Sequence, residues 1–378
     1  MIFGLLTFFG DILPTLLYNY EDIIYGFIMN IKASSPCDDP KAALLNLDTA
    51  LKQLLTHAEN LADKAIEVVD LNHALNRVLA VDLISRIDVP PSDNSAVDGY
   101  ALSSSEVKIE TFIPVSQRIP AGKSPEPLVN KTTARIFTGA PIPSGADCVI
   151  MQEQAEVDSA SNTVKFNTTP LKFQNIRPKG QDIQTGQVIL SKGQVITPQR
   201  LGLIASIGVN NIEVFSPIKV AIFSTGDELV EPGAPIIDGQ IFNSNRYMLK
   251  GMLESLNFQV IDLGLVADSL AETQEILTKA VTVSDIVITT GGASVGEEDH
   301  IQDAIKSLGT IDFWRIALKP GKPFMFGSIN ETPILGLPGN PGAVFVTFSI
   351  LARPFLLHTQ GIRTATKDTF FLTLDFDV

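Results

Sequence analysis

From Lys219 to Gly339 the chain repeats one unit: a short run apolar on both faces, a glycine-bearing turn, and an amphipathic segment. KVAIFST, QVIDLG and DIVITTGG read as strands and residues 245–256, 270–281 and 300–308 as helices. PFMFGSI and TPILGLPG read as two further strands before a helix from Gly342 onward. Strands without a polar face must be covered on both sides, so this alternation specifies an α/β fold with a doubly wound, mostly parallel sheet.

Such a sheet takes its ligands outside the carboxyl ends of its strands. Ser224, Thr225, Gly226, Asp227 and Glu228 follow the first strand, and Gly291, Gly292, Ser294, Glu297, Glu298 and Asp299 follow the third. Pro338, Gly339, Asn340 and Pro341 close the last. One glycine turn is only a tight turn, but three in one sheet let backbone N–H groups approach an anion, which points to a phosphate site. Asp227, Glu228, Asp268 and Asp299 stand near the same edge. They suit Mg²⁺ held through one or two carboxylates beside a phosphate, or else they cap helices. Lys319 and Lys322 flank a Pro-Gly turn near Arg315 in a chain where basic residues are the minority, and are read as an anion-binding pair with both ammonium groups toward one side.

The other segments have different periods. Residues 46–81 carry apolar positions at helical spacing with Asp48 and Thr49 as a cap, and read as one or two helices. Residues 90–175 hold β-like runs broken by IPAGKSPEP and TGAPIPSGAD, with no helix of note. Residues 186–214 read as two short strands, a helix from Thr197-Pro198, and a strand. The stretch from Pro90 to Tyr100, the Thr138–Pro141 turn and the 177–183 segment are each either turns or walls of a cleft. His57, His73, His300 and His358 show no pairing that suggests a metal or a triad, and Cys148, in the apolar run ADCVIM, reads as core.

The charge balance of 28 basic against 42 acidic residues, a net −14, leaves a nucleic-acid backbone repelled over most of the surface. Cys37 and Cys148 have no metal-ligand spacing and read as reduced cytoplasmic thiols. With 45% apolar and 19% charged residues over 378 positions, the chain is globular and long enough for two or three domains. Residues 1–28 are apolar, but Asp11, Pro14, Glu21 and Asp22 interrupt them and no basic residue precedes Lys32, so neither a spanning helix nor a signal peptide is expected. They read as an over-extended start ahead of Met29, with a peripheral anchor or a subunit-pairing helix as alternatives.

In order along the chain stand PPSDNSAVDGYA, TGAPIPSGADCVIMQEQ, NIRPKGQDI, FSTGDEL, GQIFNSNR, TTGGASVGEEDH, FWRIALKPGKPF and GLPGNPGA. Together they resemble the molybdopterin molybdenumtransferase family, the MoeA type that includes the E domain of gephyrin, over residues 45–360. The resemblance implies an elongated multidomain chain. A linking domain would be 29–83 with 184–217, a β-rich inserted domain 84–183, and a doubly wound domain like that of the molybdopterin adenylyltransferases (MogA and MoaB) 218–362. Residues 363–378 would begin a truncated C-terminal β domain. It further implies a cytoplasmic homodimer whose cleft joins the doubly wound domain of one subunit to the β-rich domain of the other. The implied reaction inserts molybdate into adenylylated molybdopterin with release of AMP and with Mg²⁺, and molybdopterin adenylyltransferase and molybdoenzymes become candidate partners. Nucleic acid and membrane are not expected.

Carried over by motif, Asp98, Thr138, Arg177 and Asp182 would come from the β-rich domain. Glu228, Asp268, Asp299, Lys319, Pro338 and Pro341 would complete the site, with Asp268 and Asp299 on Mg²⁺ and Arg315 and Lys319 on phosphate or molybdate charge. Arg315 stands where the family often has lysine. An adenylyltransferase-like or other nucleotide-handling enzyme and a gephyrin-like scaffold are the competing readings. The segments SDNSAVDGY and RPKGQD argue against the first, and the absence of a long linker against the second.

Overall fold

The computed structural model describes residues 44–61, 65–108, 110–291 and 300–362. The expectations for residues 1–28, Cys37, Gly292, Ser294, Glu297, Glu298, Asp299 and residues 363–378 lie outside them. The chain divides into two compact units, one of Asp82–Ser191 with Gly202–Asn210, the other of the remainder.

The larger unit opens with helix α1, Leu47–Asn60. Leu47, Ala50, Leu54 and Ala58 recur every three or four residues and are buried, which is the reason this stretch is helical. Its cap is Asn46, whose side chain accepts from Asp48 N at 2.9 Å, and not the expected Asp48-Thr49. The rest of 46–81 is not a second helix. Ile66–Asp70 forms strand β1, because branched Ile66, Val68 and Val69 favour an extended chain, and a short 3-10 turn, Leu71–His73, follows.

In the smaller unit the chain makes strands β2 to β11: Leu83–Ile84, Asn94–Ser95, Gly99–Leu102, Ile113–Ile119, Thr133–Ile136, Cys148–Met151, Ala155–Asp158, Thr163–Phe166, Ile176–Arg177 and Val188–Leu190. Six of them form a sheet of order β7-β4-β6-β5-β9-β8, in which only β5 and β6 run parallel. As expected, nothing longer than a 3-10 turn, Gln152–Gln154, interrupts the strands of residues 90–175 among the described residues. One face buries Tyr100, Leu102, Cys148, Ile150, Val164 and Phe166; the other buries Ala101, Ile119, Ala134, Ile136 and Val149. Gly99 is required where β4 meets β7, since a Cβ there would lie 2.0 Å from the Ile150 carbonyl oxygen. Cys148 is wholly buried, and burial, helped by Asp147, pushes its thiol up to about 12.

Helix α2, Pro198–Ser206, leads to β12, Asn211–Phe215, which pairs antiparallel with β1. Of the two strands expected before α2 only β11 forms; the second is reduced to a bridge between Val78 and Val195, with Gln194 O accepting from Leu79 N at 3.0 Å.

The larger unit continues with β13 (Lys219–Thr225), β14 (Leu229–Val230), β15 (Ile241–Phe242), α3 (Ser244–Ser255), β16 (Gln259–Val266), α4 (Leu270–Val283), β17 (Ile286–Thr290) and α5 (His300–Leu308). After these come β18 (Thr310–Trp314), β19 (Met325–Ile329), β20 (Thr332–Leu337), α6 (Pro341–Thr347), a π segment, Phe348–Ala352, and α7 (Arg353–Thr359). The sheet order β16-β13-β17-β20-β19-β18 is parallel through its first four strands and antiparallel at β19 and β18. One layer packs Leu249, Leu253, Val344, Phe348 and Phe355 against Val220, Ile222 and Ile288; the other packs Leu277, Ala280, Ile301 and Ile305 against Ala221, Phe223 and Val287. The apolar run Pro341–Thr359 is long enough to span a bilayer, but 72% of its window is buried in this core, which accounts for its composition.

Gly99→Ala is expected to lower unfolding stability by at least about 2 kcal/mol in urea titration, because the opposing atom is backbone and must be displaced. In a Cys37→Ser variant, the Cys148 thiol is expected to resist a disulfide-exchange reagent at pH 8 until the chain unfolds; labelling at a free-thiol rate in the native state would contradict its burial.

Candidate functional site

The carboxyl ends of β13, β17 and β20 are neighbours in the sheet, so their turns meet. Ser224 Oγ and Thr290 Oγ1 are buried and share a hydrogen bond at 2.8 Å, which joins β13 to β17. Gly291 has φ +88°, and a Cβ on it would stand 2.5 Å from Thr225 O, so no other residue fits that turn. Among the described residues a Cβ on Gly339 would meet only Gly291 Cα, at 4.0 Å, so the two glycine turns lie against each other. Thr225 Oγ1 is buried there without a hydrogen-bond partner.

Two expected ligand-contacting side chains are internally committed. Ser224 is held by Thr290. Asn340 caps α6, accepting from Ala343 N at 3.2 Å, with Pro341 in the first turn and Pro338 buried. A residue the motifs did not single out lies beside them. Asn245, at the start of α3 and 8% exposed, donates from Nδ2 to Gly339 O at 2.6 Å, while its Oδ1 is buried and unpartnered. In sequence it looks like one of the two caps in FNSN; Asn243, whose side chain accepts from Arg246 N, is the cap, and that leaves Asn245 for the turn.

Asp227 and Asp268 are brought together by reciprocal bonds: Asp227 N donates to Asp268 Oδ2 at 3.2 Å and Asp268 N to Asp227 Oδ1 at 3.1 Å. Helix capping does not explain Asp268, because the cap of α4 is Ser269, which accepts from Glu272 N. Glu228 is exposed and folds back over Gly226, whose φ is +149°. Among the described residues no group of three or more His, Cys, Asp or Glu could hold a metal. The Asp227–Asp268 pair nevertheless fits Mg²⁺, which takes one or two carboxylates and fills its octahedron with phosphate oxygens and water.

On the β18–β19 connection Arg315 has φ +67° and its guanidinium lies 5.4 Å from the Trp314 ring. Lys319 is exposed, and Lys322 is half-buried with its carbonyl accepting from Ile316 N. Gly321 between them is buried, and a Cβ on it would meet Thr347 Cγ2 at 2.5 Å. The turn is thus anchored on α6 and the two lysines differ in exposure.

In the smaller unit a second set of loops converges. Asn94 and Ser95 pair with Arg177 and Ile176; Ser95 O accepts from Gly139 N at 2.8 Å, and Asp93 Oδ1 accepts from Lys179 N at 2.8 Å. The three motif loops of this unit are therefore one structure. Asp98 Oδ1 accepts both the N–H and the hydroxyl of Thr138 at 2.8 Å, and the Thr138 backbone bond holds its carboxyl below the usual range. Asp98 therefore stays ionised well below neutral pH, and the contact weakens only as pH falls through that lowered pKa. Arg177 Nη2 donates to Asp182 Oδ2 at 2.5 Å. Arg135, not singled out in the sequence, donates to Gly99 O at 3.0 Å and adds positive charge near Asp98.

Residues 45–208 match the MoeA N-terminal region (domain I and II), and residues 221–358 match a probable molybdopterin binding domain. The chain is 42% identical to the molybdopterin molybdenumtransferase of Haemophilus influenzae, over 87% of this chain and 81% of that one. It is 36% identical to the corresponding protein of Nostoc, over 80% and 72%. Among solved structures it superposes on the molybdopterin biosynthesis protein moeA of Pyrococcus horikoshii with a TM-score of 0.73 and 29% identity, over 85% and 81% of the two chains. With ordered motifs, fold and identity in agreement over most of its length, the chain belongs to the molybdopterin molybdenumtransferase family.

Proposed function

We propose that this enzyme is a molybdenumtransferase that inserts molybdate into adenylylated molybdopterin and releases AMP, a late step of molybdenum cofactor biosynthesis. The observation that carries the reading is identity spanning both units with proteins of that name, which favours it over an adenylyltransferase-like enzyme or a scaffold. The substrate brings a phosphoanhydride and the second reactant an oxyanion, and the site offers complementary chemistry. The adjoining glycine turns at Gly291 and Gly339, with uncommitted Thr225 Oγ1 and Asn245 Oδ1 on the elements beside them, suit a phosphate and its attached polar group. Arg315 and Lys319 supply cationic charge.

Mg²⁺ bound at Asp268 and Asp227, with Asp299 from the family motif, would neutralise phosphate charge as the anhydride breaks. Glu228 is placed to orient a substrate group near Gly226. In the smaller unit Asp98 and Thr138 hold a fixed hydrogen-bonding edge, and Arg177 and Asp182 a fixed ion pair, that receive the remainder of the substrate. The working form is a cytoplasmic homodimer whose cleft combines these two sets from different subunits. It receives its substrate from a molybdopterin adenylyltransferase and passes its product to molybdoenzymes, without nucleic acid or membrane.

AMP release on incubation with adenylylated molybdopterin, Mg²⁺ and molybdate tests the reaction. Asp268→Asn keeps the oxygen that accepts from Asp227 N and removes the charge. It should leave circular dichroism unchanged and cut AMP release by at least about 10²-fold, a few kcal/mol of transition-state stabilisation; near-normal turnover would sink the assignment. Light scattering of active protein is expected to give a mass near twice 40.8 kDa, and active monomer would overturn the shared cleft.

A further inference from the structure

Arg118 on β5 and Arg135 on β6 are register partners in the parallel pair of the smaller unit, so two like charges stand side by side on one sheet face. Such pairs cost stability unless something neutralises them. Both rest on one ring: the Arg118 and Arg135 guanidinium carbons lie 4.5 and 4.7 Å from the centroid of Phe137, which continues β6 on the same face. Neither makes an ion pair among the described residues, in a chain with 42 carboxylates against 28 basic groups. Arg135 donates only to neutral acceptors, Gly99 O and Gln152 Oε1. Arg118 is exposed, and among the described residues its guanidinium rests on the Phe137 ring. The carboxylate that Arg135 influences, Asp98, is already held by Thr138. A guanidinium has five N–H donors in a planar fork, so most of the donors of this pair are uncommitted.

We propose that Arg118 and Arg135, ordered on Phe137, form a binding site for a doubly charged tetrahedral oxyanion, next to the Asp98–Thr138 edge. Two forks on one ring match the separated oxygens of such an ion, and its charge removes the like-charge penalty of the empty pair. The identity of the ion rests on the proposed reaction, which supplies two sources of this chemistry: free molybdate, and the phosphoryl group of a nucleotide. The site itself follows from the arginine geometry alone.

The test is calorimetric titration of the full chain with sodium molybdate and, separately, with AMP, in a Lys319→Gln background that removes the exposed cation of the β18–β19 connection. Arg118→Gln is expected to weaken oxyanion binding by about tenfold or more, in keeping with loss of a charge-assisted fork. Arg118→Lys should retain part of the affinity, and Phe137→Leu should weaken it by releasing Arg118, since Arg135 is also held by Gly99 O, Gln152 Oε1 and the Tyr100 ring. Thermal unfolding of Arg118→Gln should be unchanged or shifted upward, since one of two like charges has gone. Loss confined to the molybdate titration assigns the site to the free oxyanion, and loss confined to AMP assigns it to the phosphoryl group. Isotherms for both ions that are unchanged in Arg118→Gln and in Arg118→Glu would overturn the site, as would absence of binding to the parent chain. AMP release measured on the chain with Lys319 retained, persisting while these isotherms do not respond, leaves the transferase reading standing and removes only this inference; Arg118-dependent binding with no AMP release from the Lys319-retaining chain does the reverse.

Discussion

The larger unit depends on a backbone approach so close that it admits no side chain. Gly291 leaves β17 with φ +88° directly against the last carbonyl of β13, and Gly339 leaves β20 facing it. Because the strands are parallel and adjacent, their turns must emerge at the same edge, and any Cβ at Gly291 would push β17 away from β13. The Ser224–Thr290 hydrogen bond fixes the same junction from within the core. Beside this junction stand two buried polar atoms, Thr225 Oγ1 and Asn245 Oδ1, that have no hydrogen-bond partner among the described residues. Leaving buried polar atoms unmatched costs stability, and a ligand that supplies their partners recovers it.

The smaller unit reaches a similar end by different means. Its loops are too irregular for a sheet edge to order them, so side chains do the tying: Asp93 binds Lys179 N, Asp98 binds Thr138, and Asp88 binds Thr185. A short carboxylate accepting a backbone N–H across many residues replaces the ladder bonds that the turn-rich sequence cannot form. The Thr185 backbone bond to Asp88, like the Thr138 bond to Asp98, holds the carboxyl below its usual range, so these ties survive well into acid. A rigid edge follows without a helix.

Much of this was legible in the sequence because burial writes a period. The parallel strands are apolar on both faces, and residues 300–308 and 270–281 show helical spacing, so the doubly wound sheet could be placed almost to the residue. The weaker signals misled where local chemistry was ambiguous. Ile66–Asp70 carries too few residues to distinguish a strand from a helix continuation, and Asn46 was hidden as a cap by the equally suitable Asp48 and Thr49 next to it. Ser224 and Asn340 looked like ligand contacts because a hydroxyl and an amide at a strand end can serve either a ligand or the fold. Only the distances show that they bind Thr290 and Ala343 N. Asn245 and Arg135 went unremarked for the converse reason. Each sits inside a regular element, and its importance lies in a partner distant in sequence: Gly339 for one, and Gly99 with the Phe137 ring for the other.

Charge raises a further constraint. An acidic chain of net charge −14 that handles phosphate and molybdate carries a net charge of the same sign as its own substrates. Exposed charges separated by more than the Debye length, about 8 Å at physiological ionic strength, are largely screened from one another. Capture of an anion is therefore decided within one shell of donors. The placements agree with that: Lys319 and Arg315 stand on the β18–β19 connection, and Arg118 and Arg135 share a single ring, while Lys165, Arg246 and Arg77 are consumed by carboxylates elsewhere. Scarcity of basic residues then works as selectivity. An anion is then held where cations stand close together and free of a carboxylate among the described residues, as Arg118 and Arg135 do on the Phe137 ring.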